Sequence, residues 1–319
     1  MANDRTESAV ERYKRQRAER LAGPTQFVEP APGIGEDTLW RGLTRAGEIR
    51  VLVARTTATV RESTRRLGAG DEAARVLGEL ITAGLLARSA LNPAAQLQVL
   101  LRNPGSAGRL IVDVWAGEAG VRAAIAEPRA SAAQDGPLLA DGFLEVTRIA
   151  RDGAPYRSSL LYSGGGVEAA VTECLVRSEQ IVAVVHLEVG VANGAVGFAA
   201  GYLVQLTPEG TRAQLDRLLA RVESLPPLAF GMTAADPDGR AWVAGLLDGF
   251  LWDQVARERP FFACRCSRGR LVAALATLPR RDLEDLVNEG ESVDSTCEYC
   301  NTTYSLSVPE LELLLAPEQ

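Results

Sequence analysis

Four of the five cysteines in this 319-residue chain stand as two close pairs, Cys264-x-Cys266 and Cys297-x-x-Cys300. Paired thiolates on two turns deliver the four ligands that a tetrahedral zinc ion holds at about 2.3 Å. The 30 residues between the pairs, 267–296, have room for a helix, and Leu271, Leu275 and Leu278 fall at near-helical spacing. Four protein ligands close the coordination shell and leave no position for a reacting water, which argues against a zinc enzyme. A passive structural staple and a redox-sensitive site both remain open. The one-residue gap of the first pair bears on that choice, because without metal its two sulfurs can meet in a small strained ring, and strained disulfides are the labile kind. Four thiolates on zinc carry a formal charge of −2. Arg265, Arg268 and Arg270 lie close enough in sequence to offset it, or they are solvated surface.

The elements that must position these cysteines belong to an ordinary globular composition, 46% hydrophobic and 24% charged. Aromatic residues are only 5%, so the core must be built mainly from Ala, Val and Leu. A net charge of −7 disfavours a surface devoted to nucleic-acid phosphates. Residues 259–319 hold six Arg and no Lys against ten Asp and Glu, which weighs against a nucleic-acid-binding zinc ribbon. No apolar run resembles a secretory signal or a membrane span. The expected location is the cytoplasm, where clustered thiols stay reduced and bind metal rather than form structural disulfides.

Four regions follow from the pattern. Residues 1–38 mix charges with a Pro/Gly-rich stretch and read as a flexible extension. Residues 39–208 read as an α+β core domain: EIRVLVARTT, QLQVLLRN and RLIVDVWAG as strands, GDEAARVLGELITAGLLARSAL and GGVEAAVTECLVRSEQ as helices, and a hairpin turning at Asp152-Gly153. In IVAVVHLEVGV the odd positions are apolar while His186 and Glu188 point to the other face, and Asn193-Gly194 turns the chain into AVGFAAGYLVQL. Residues 209–260 read as a helical linker. Leu215, Leu218, Leu219 and Val222 fall at helical spacing, as do Val243, Leu246, Leu247 and Phe250, with Gly245 and Gly249 inside the second run. Such amphipathic helices need a surface to cover. Residues 261–319 hold the cysteine module.

Other signals carry less. His186 is the sole histidine, and no GxSxG accompanies it, so a Ser-His-Asp hydrolase is not expected and the ring reads as a filler. Ser163-Gly164-Gly165-Gly166 lacks the GxxxxGK[ST] and GxGxxG patterns and reads as a turn, not a phosphate loop. Cys174, within an apolar helical pattern, reads as a small buried hydrophobe.

FFACRCSRGR followed by TCEYCNTTYSLSVPELELLL resembles the C-terminal redox module of the bacterial heat-shock holdase family HslO, the 33 kDa chaperonins, with Tyr304 following the second pair. PYRSSLLYSGGGVEAAVTECLVRSEQ, with Tyr156 and Ser178-Glu179-Gln180, is similar to the family's N-terminal domain. The resemblance runs from about residue 37 to the end. The charged extension and VRAAI at 121–125 depart from the family pattern. The resemblance implies an ATP-independent chaperone, not an enzyme, with one zinc per chain on Cys264, Cys266, Cys297 and Cys300 in the reduced, inactive form. It further implies that oxidation pairs Cys264 with Cys266 and Cys297 with Cys300 and releases the metal. Leu215, Leu218, Leu219, Val222, Val243, Leu246, Phe250 and Trp252 are then the expected surface for unfolded clients. It also implies a homodimer when activated, and neither nucleic acid nor membrane is an expected partner.

Overall fold

A computed structural model describes residues 36–150, 153–233 and 235–315. The N-terminal extension, except its last residues, and Asp152 of the expected hairpin turn lie outside the described residues. The chain divides into two units, the first ending at Phe262 and the second beginning at Ala263, and the whole is a mixed α+β protein.

Two antiparallel sheets build the first unit. One has five strands, with β10 (Trp252–Glu258), β1 (Thr38–Thr44), β2 (Ile49–Arg55), β9 (Ala195–Leu206) and β8 (Val182–Ala192) side by side. In the other, β5 (Gly120–Ile125), β4 (Leu110–Val114), β3 (Gln96–Arg102), β6 (Gly142–Ile149) and β7 (Tyr156–Tyr162) follow one another, and the two-residue β11 (Phe261–Phe262) adds parallel to β5. Helix α1 is Thr57–Leu67, and α2 is the 21-residue Asp71–Leu91. Helix α2 is apolar on nearly every side because it packs against strands of both sheets. Its fit depends on two glycines. A Cβ on Gly78 would stand 2.7 Å from Val60 Cγ1, and one on Gly84 would stand 2.9 Å from Val112 Cγ1. Both distances are shorter than packed carbon atoms tolerate.

Period-two alternation divides the five-stranded sheet between two cores. Leu52, Ala54, Val185, Leu187 and Leu203 face the helix layer around α2. Ile49, Val51, Val53, Val184, Phe198, Tyr202 and Val204 face the opposite way and are buried too. What buries them is the 209–260 segment. It comprises α5 (Arg212–Ser224), the four-residue α6 (Leu228–Gly231), α7 (Arg240–Leu246) and β10. The remaining helices of this unit are the short α3 (Ala132–Asp135) and α4 (Gly166–Arg177). Helix α5 starts at a reciprocal cap in which Thr211 and Gln214 satisfy each other's backbone N–H groups.

Two sequence expectations for this segment need correction. Helix α7 ends at Leu246, and Gly249, at φ +82°, turns the chain out, so Gly249 and Phe250 lie beyond the helix. Residues 252–258 form an edge strand paired with β1 where a helical linker was expected. Ser163–Gly166 is a turn, with Gly164, Gly165 and Gly166 all at positive φ. Cys174 is buried, and burial pushes its thiol up to about 12, as suits an inert packing residue.

The second unit comprises α8 (Arg268–Leu275), α9 (Arg280–Glu289), the hairpin β12 (Val293–Thr296) and β13 (Thr303–Leu306), and α10 (Val308–Leu315). The interval between the cysteine pairs thus holds two helices rather than one. Pro279, which cannot continue a helix, separates them and leaves Leu278 between the two. Among the described residues of this unit, only Leu283, Tyr299, Cys300, Leu306 and Leu311 are buried.

Candidate metal centre

Cys264 and Cys266 sit on the extended stretch before α8, where Ser267 caps the helix by accepting from Arg270 N. Cys297 and Cys300 sit on the turn between β12 and β13. That turn is closed by Cys297 N donating to Thr302 O at 2.9 Å and Asn301 N donating to Cys297 O at 2.8 Å. Asn301 adopts φ +57°, the left-handed conformation that asparagine tolerates better than most residues.

The four sulfur atoms lie within 4.8 Å of one another and could hold a metal ion. Sγ of Cys264 is 3.7 Å from that of Cys297, and Sγ of Cys266 is 3.4 Å from that of Cys300. A tetrahedron with 2.3 Å zinc–sulfur arms has edges of about 3.8 Å, so the residues present fit zinc. The electrostatics point the same way. Burial pushes Cys264 up to about 12, helped by hydrogen bonds with the neighbouring thiols. Burial also raises Cys300, but hydrogen bonds from the Thr302 hydroxyl and backbone outweigh it and bring this thiol down to about 7. Burial is the largest influence on Cys297 as well, and it moves that thiol upward. One sulfur therefore ionises readily while close neighbours resist, and four thiolates at this spacing need a cation among them.

Two further side chains touch the sulfurs. Tyr304 Oη lies 3.2 Å from Cys266 Sγ, and Cys300 Sγ donates to Thr302 Oγ1 at 3.2 Å, so a hydroxyl meets one cysteine of each pair. The register of β13 explains Tyr304: it pairs with Ser295 across the hairpin and follows Cys300 by four residues. The motif reading noticed this tyrosine without giving it a task. Of the three arginines left between offsetting thiolate charge and solvated surface, Arg268 is ion-paired with Glu310.

The other expected site residues are gathered elsewhere. Leu215, Leu218, Leu219, Val222, Val243 and Leu246 are buried against the outer face of the five-stranded sheet, and Phe250 and Trp252 pack on the same core. Trp252 stacks on Trp40 with ring centroids 5.9 Å apart. Here, then, these side chains are a hydrophobic core and not an open surface.

A two-sheet α+β unit followed by a compact four-cysteine module defines the class of protein. The family model described as "Hsp33 protein" matches residues 37–307. The chain therefore belongs to the Hsp33 family. It is 31% identical over 287 residues to the 33 kDa chaperonin of Geobacter sulfurreducens, covering 87% of this chain and 94% of that one. It is 34% identical over 290 residues to the 33 kDa chaperonin of Symbiobacterium thermophilum, covering 86% and 96%. A crystal structure of the 33 kDa chaperonin of Thermotoga maritima superposes with a TM-score of 0.77 over 88% of this chain and 98% of that one. At 22% identity, that likeness establishes the fold. No helix among the described residues is long and apolar enough to cross a membrane.

Proposed function

We propose that this chain is a redox-regulated, ATP-independent holdase chaperone, not an enzyme, that binds unfolding proteins under oxidative stress. The observation that carries the reading is the presence, in one chain, of an almost coreless four-cysteine module and a segment whose Leu215, Leu218, Leu219, Val222, Val243 and Leu246 are buried against the core sheet. Membership of a family whose relatives are named 33 kDa chaperonin supports it.

In this reading residues 39–208 are the chaperone core, 209–260 a metastable linker, and 261–319 the switch. Cys264, Cys266, Cys297 and Cys300 hold one zinc per chain in the reduced state. The bound metal supplies a cross-link worth on the order of 10 kcal/mol of folding free energy to so small a module. Tyr304 and Thr302 orient the thiolates through their hydroxyls. Hypochlorous acid or peroxide takes two electrons from each cysteine pair. Each pair becomes one disulfide, the oxidant is reduced to chloride or water, and the ligand set is gone. We assign the disulfides as Cys264–Cys266 and Cys297–Cys300, the pairing the family resemblance implies. Peptide mapping of oxidised protein tests it, because sulfur–sulfur contacts of 3.7 and 3.4 Å also join the cross-pairs Cys264–Cys297 and Cys266–Cys300.

Loss of the module frees the linker to leave the sheet. The buried faces of α5 and α7, with Leu215, Leu218, Leu219, Val222, Val243, Leu246, Phe250 and Trp252, then become apolar surface that takes up unfolded chains without sequence preference. No nucleotide is consumed, and binding as an activated homodimer in the cytoplasm completes the reading. The decisive experiment follows zinc release, thiol loss and suppression of client aggregation on one sample during oxidation. Loss of four thiols with one zinc and a gain of holdase activity is expected. Zinc that stays, or that leaves without any gain, overturns the reading.

A further inference from the structure

His186 and Glu188 share the face of β8 that the 209–260 segment covers, and what the sequence presents as a polar face is buried. His186 is 1% exposed. Both ring nitrogens meet a carboxylate at 2.9 Å, Nδ1 facing Glu168 Oε2 and Nε2 facing Glu188 Oε1. A carboxylate only accepts, so with both carboxylates ionised the ring donates through both nitrogens and is the cation. Glu168 reaches it from α4 around the open edge of β8, where its Oε2 also accepts from Leu187 N at 2.9 Å.

Glu188 makes the connection outward. Its Oε1 accepts from Leu228 N at 2.8 Å and its Oε2 from Ala229 N at 3.1 Å. Leu228 supplies the first backbone N–H after Pro226 and Pro227, which have none. Pro226 O in turn accepts from Trp242 Nε1 at 2.8 Å, so the turn held by Glu188 is tied to α7 as well as following α5. The other groups facing this cluster are Glu79 of α2, which accepts from Arg75 at 2.6 Å and feels the charges of Glu168 and His186, and the Tyr202 ring, 5.1 Å from that of His186. Burial pushes the Glu188 carboxyl up, but His186 and the two backbone donors outweigh it and hold it below its usual range.

We propose that Glu188, positioned by His186 and through it by Glu168, is an autoinhibitory catch that fastens the turn between the two linker helices to the core sheet, independently of the cysteines. The proposal rests on the reading of residues 209–260 as a releasable client-binding linker. A buried carboxylate with two backbone donors and one cationic donor is a tie whose loss leaves those N–H groups unsatisfied. Leucine packing by itself tolerates sliding, whereas this tie fixes one register of the segment on the sheet.

The test uses the reduced full chain, as wild type, Glu188→Ala and the milder Glu188→Gln, which keeps one acceptor. Hydrogen exchange is read by segment, and holdase activity is measured without oxidant. Glu188→Ala is expected to speed amide exchange across residues 212–246 by about tenfold or more relative to β2 and β9, with all four thiols retained, and to suppress client aggregation while reduced. Glu188→Gln should fall between it and wild type. Exchange that rises equally in β2 and β9, or not at all, overturns the catch, and so does a loosened segment without holdase gain. If oxidised wild type has no holdase activity, the redox reading fails, yet the segmental exchange still decides whether Glu188 holds the turn.

Discussion

The two units are held together by different physics. In the first, α2 is enclosed between sheets, and apolar side chains of both sheets and six helices form two continuous cores. In the second, five described residues are buried and one of them is itself a cysteine, so burial cannot do the same work. The first unit is stable because of what it excludes from water. The second instead brings four cysteine sulfurs within 4.8 Å of one another, a set that could hold a metal ion. A reagent that attacks thiols therefore meets its partly exposed targets in the second unit, since Cys174 of the first is buried.

The sharpest way to break this comparison is to remove the metal. Chelation of the reduced protein is expected to cost the second unit on the order of 10 kcal/mol and unfold it, while α2 and the strands that enclose it keep their slow exchange. Calorimetry with segmental hydrogen exchange checks this, and a module that stays folded without metal would erase the distinction. Next in size, Leu80→Ala, at a fully buried site in α2, should destabilise the first unit by about 2–5 kcal/mol without altering the oxidation rate of the four thiols. Denaturant unfolding and thiol titration on the same variant separate the two effects. Gly78→Ala should cost about 1–3 kcal/mol despite alanine's better helix propensity, since the new methyl meets Val60 and Val189. Crystallographic displacement of α1 from α2 would accompany it. Smallest, Tyr304→Phe removes the hydroxyl donor at Cys266 and should weaken zinc binding about tenfold, measured against a competing chelator, with the first unit unaffected.

Legibility in the sequence followed the same division. The cysteine cluster could be read because it is local: close spacing keeps the members of each pair together, and only the meeting of the pairs needed the fold. Helix α2 was visible from its length and apolar content. Strand β10 was not. In WDQVARE the exposed positions include Val255 and the sheltered ones include Gln254 and Glu258, so polarity runs against the alternation that marks a strand. Pairing with β1 overrides it. Nor does the local pattern report the burial of His186. Its alternation was correct, but the covering layer comes from residues some 40 positions away, and no local pattern reports that a polar face will be roofed.

The stacked Trp40 and Trp252, together with Trp242 against Tyr202, place three of the four tryptophans in the core that the linker closes, while the module contains none. The protein thus carries its own optical reporter. On the proposed release of the segment, its ultraviolet emission is expected to shift to longer wavelength, and the lag between thiol loss and that colour change would time the release.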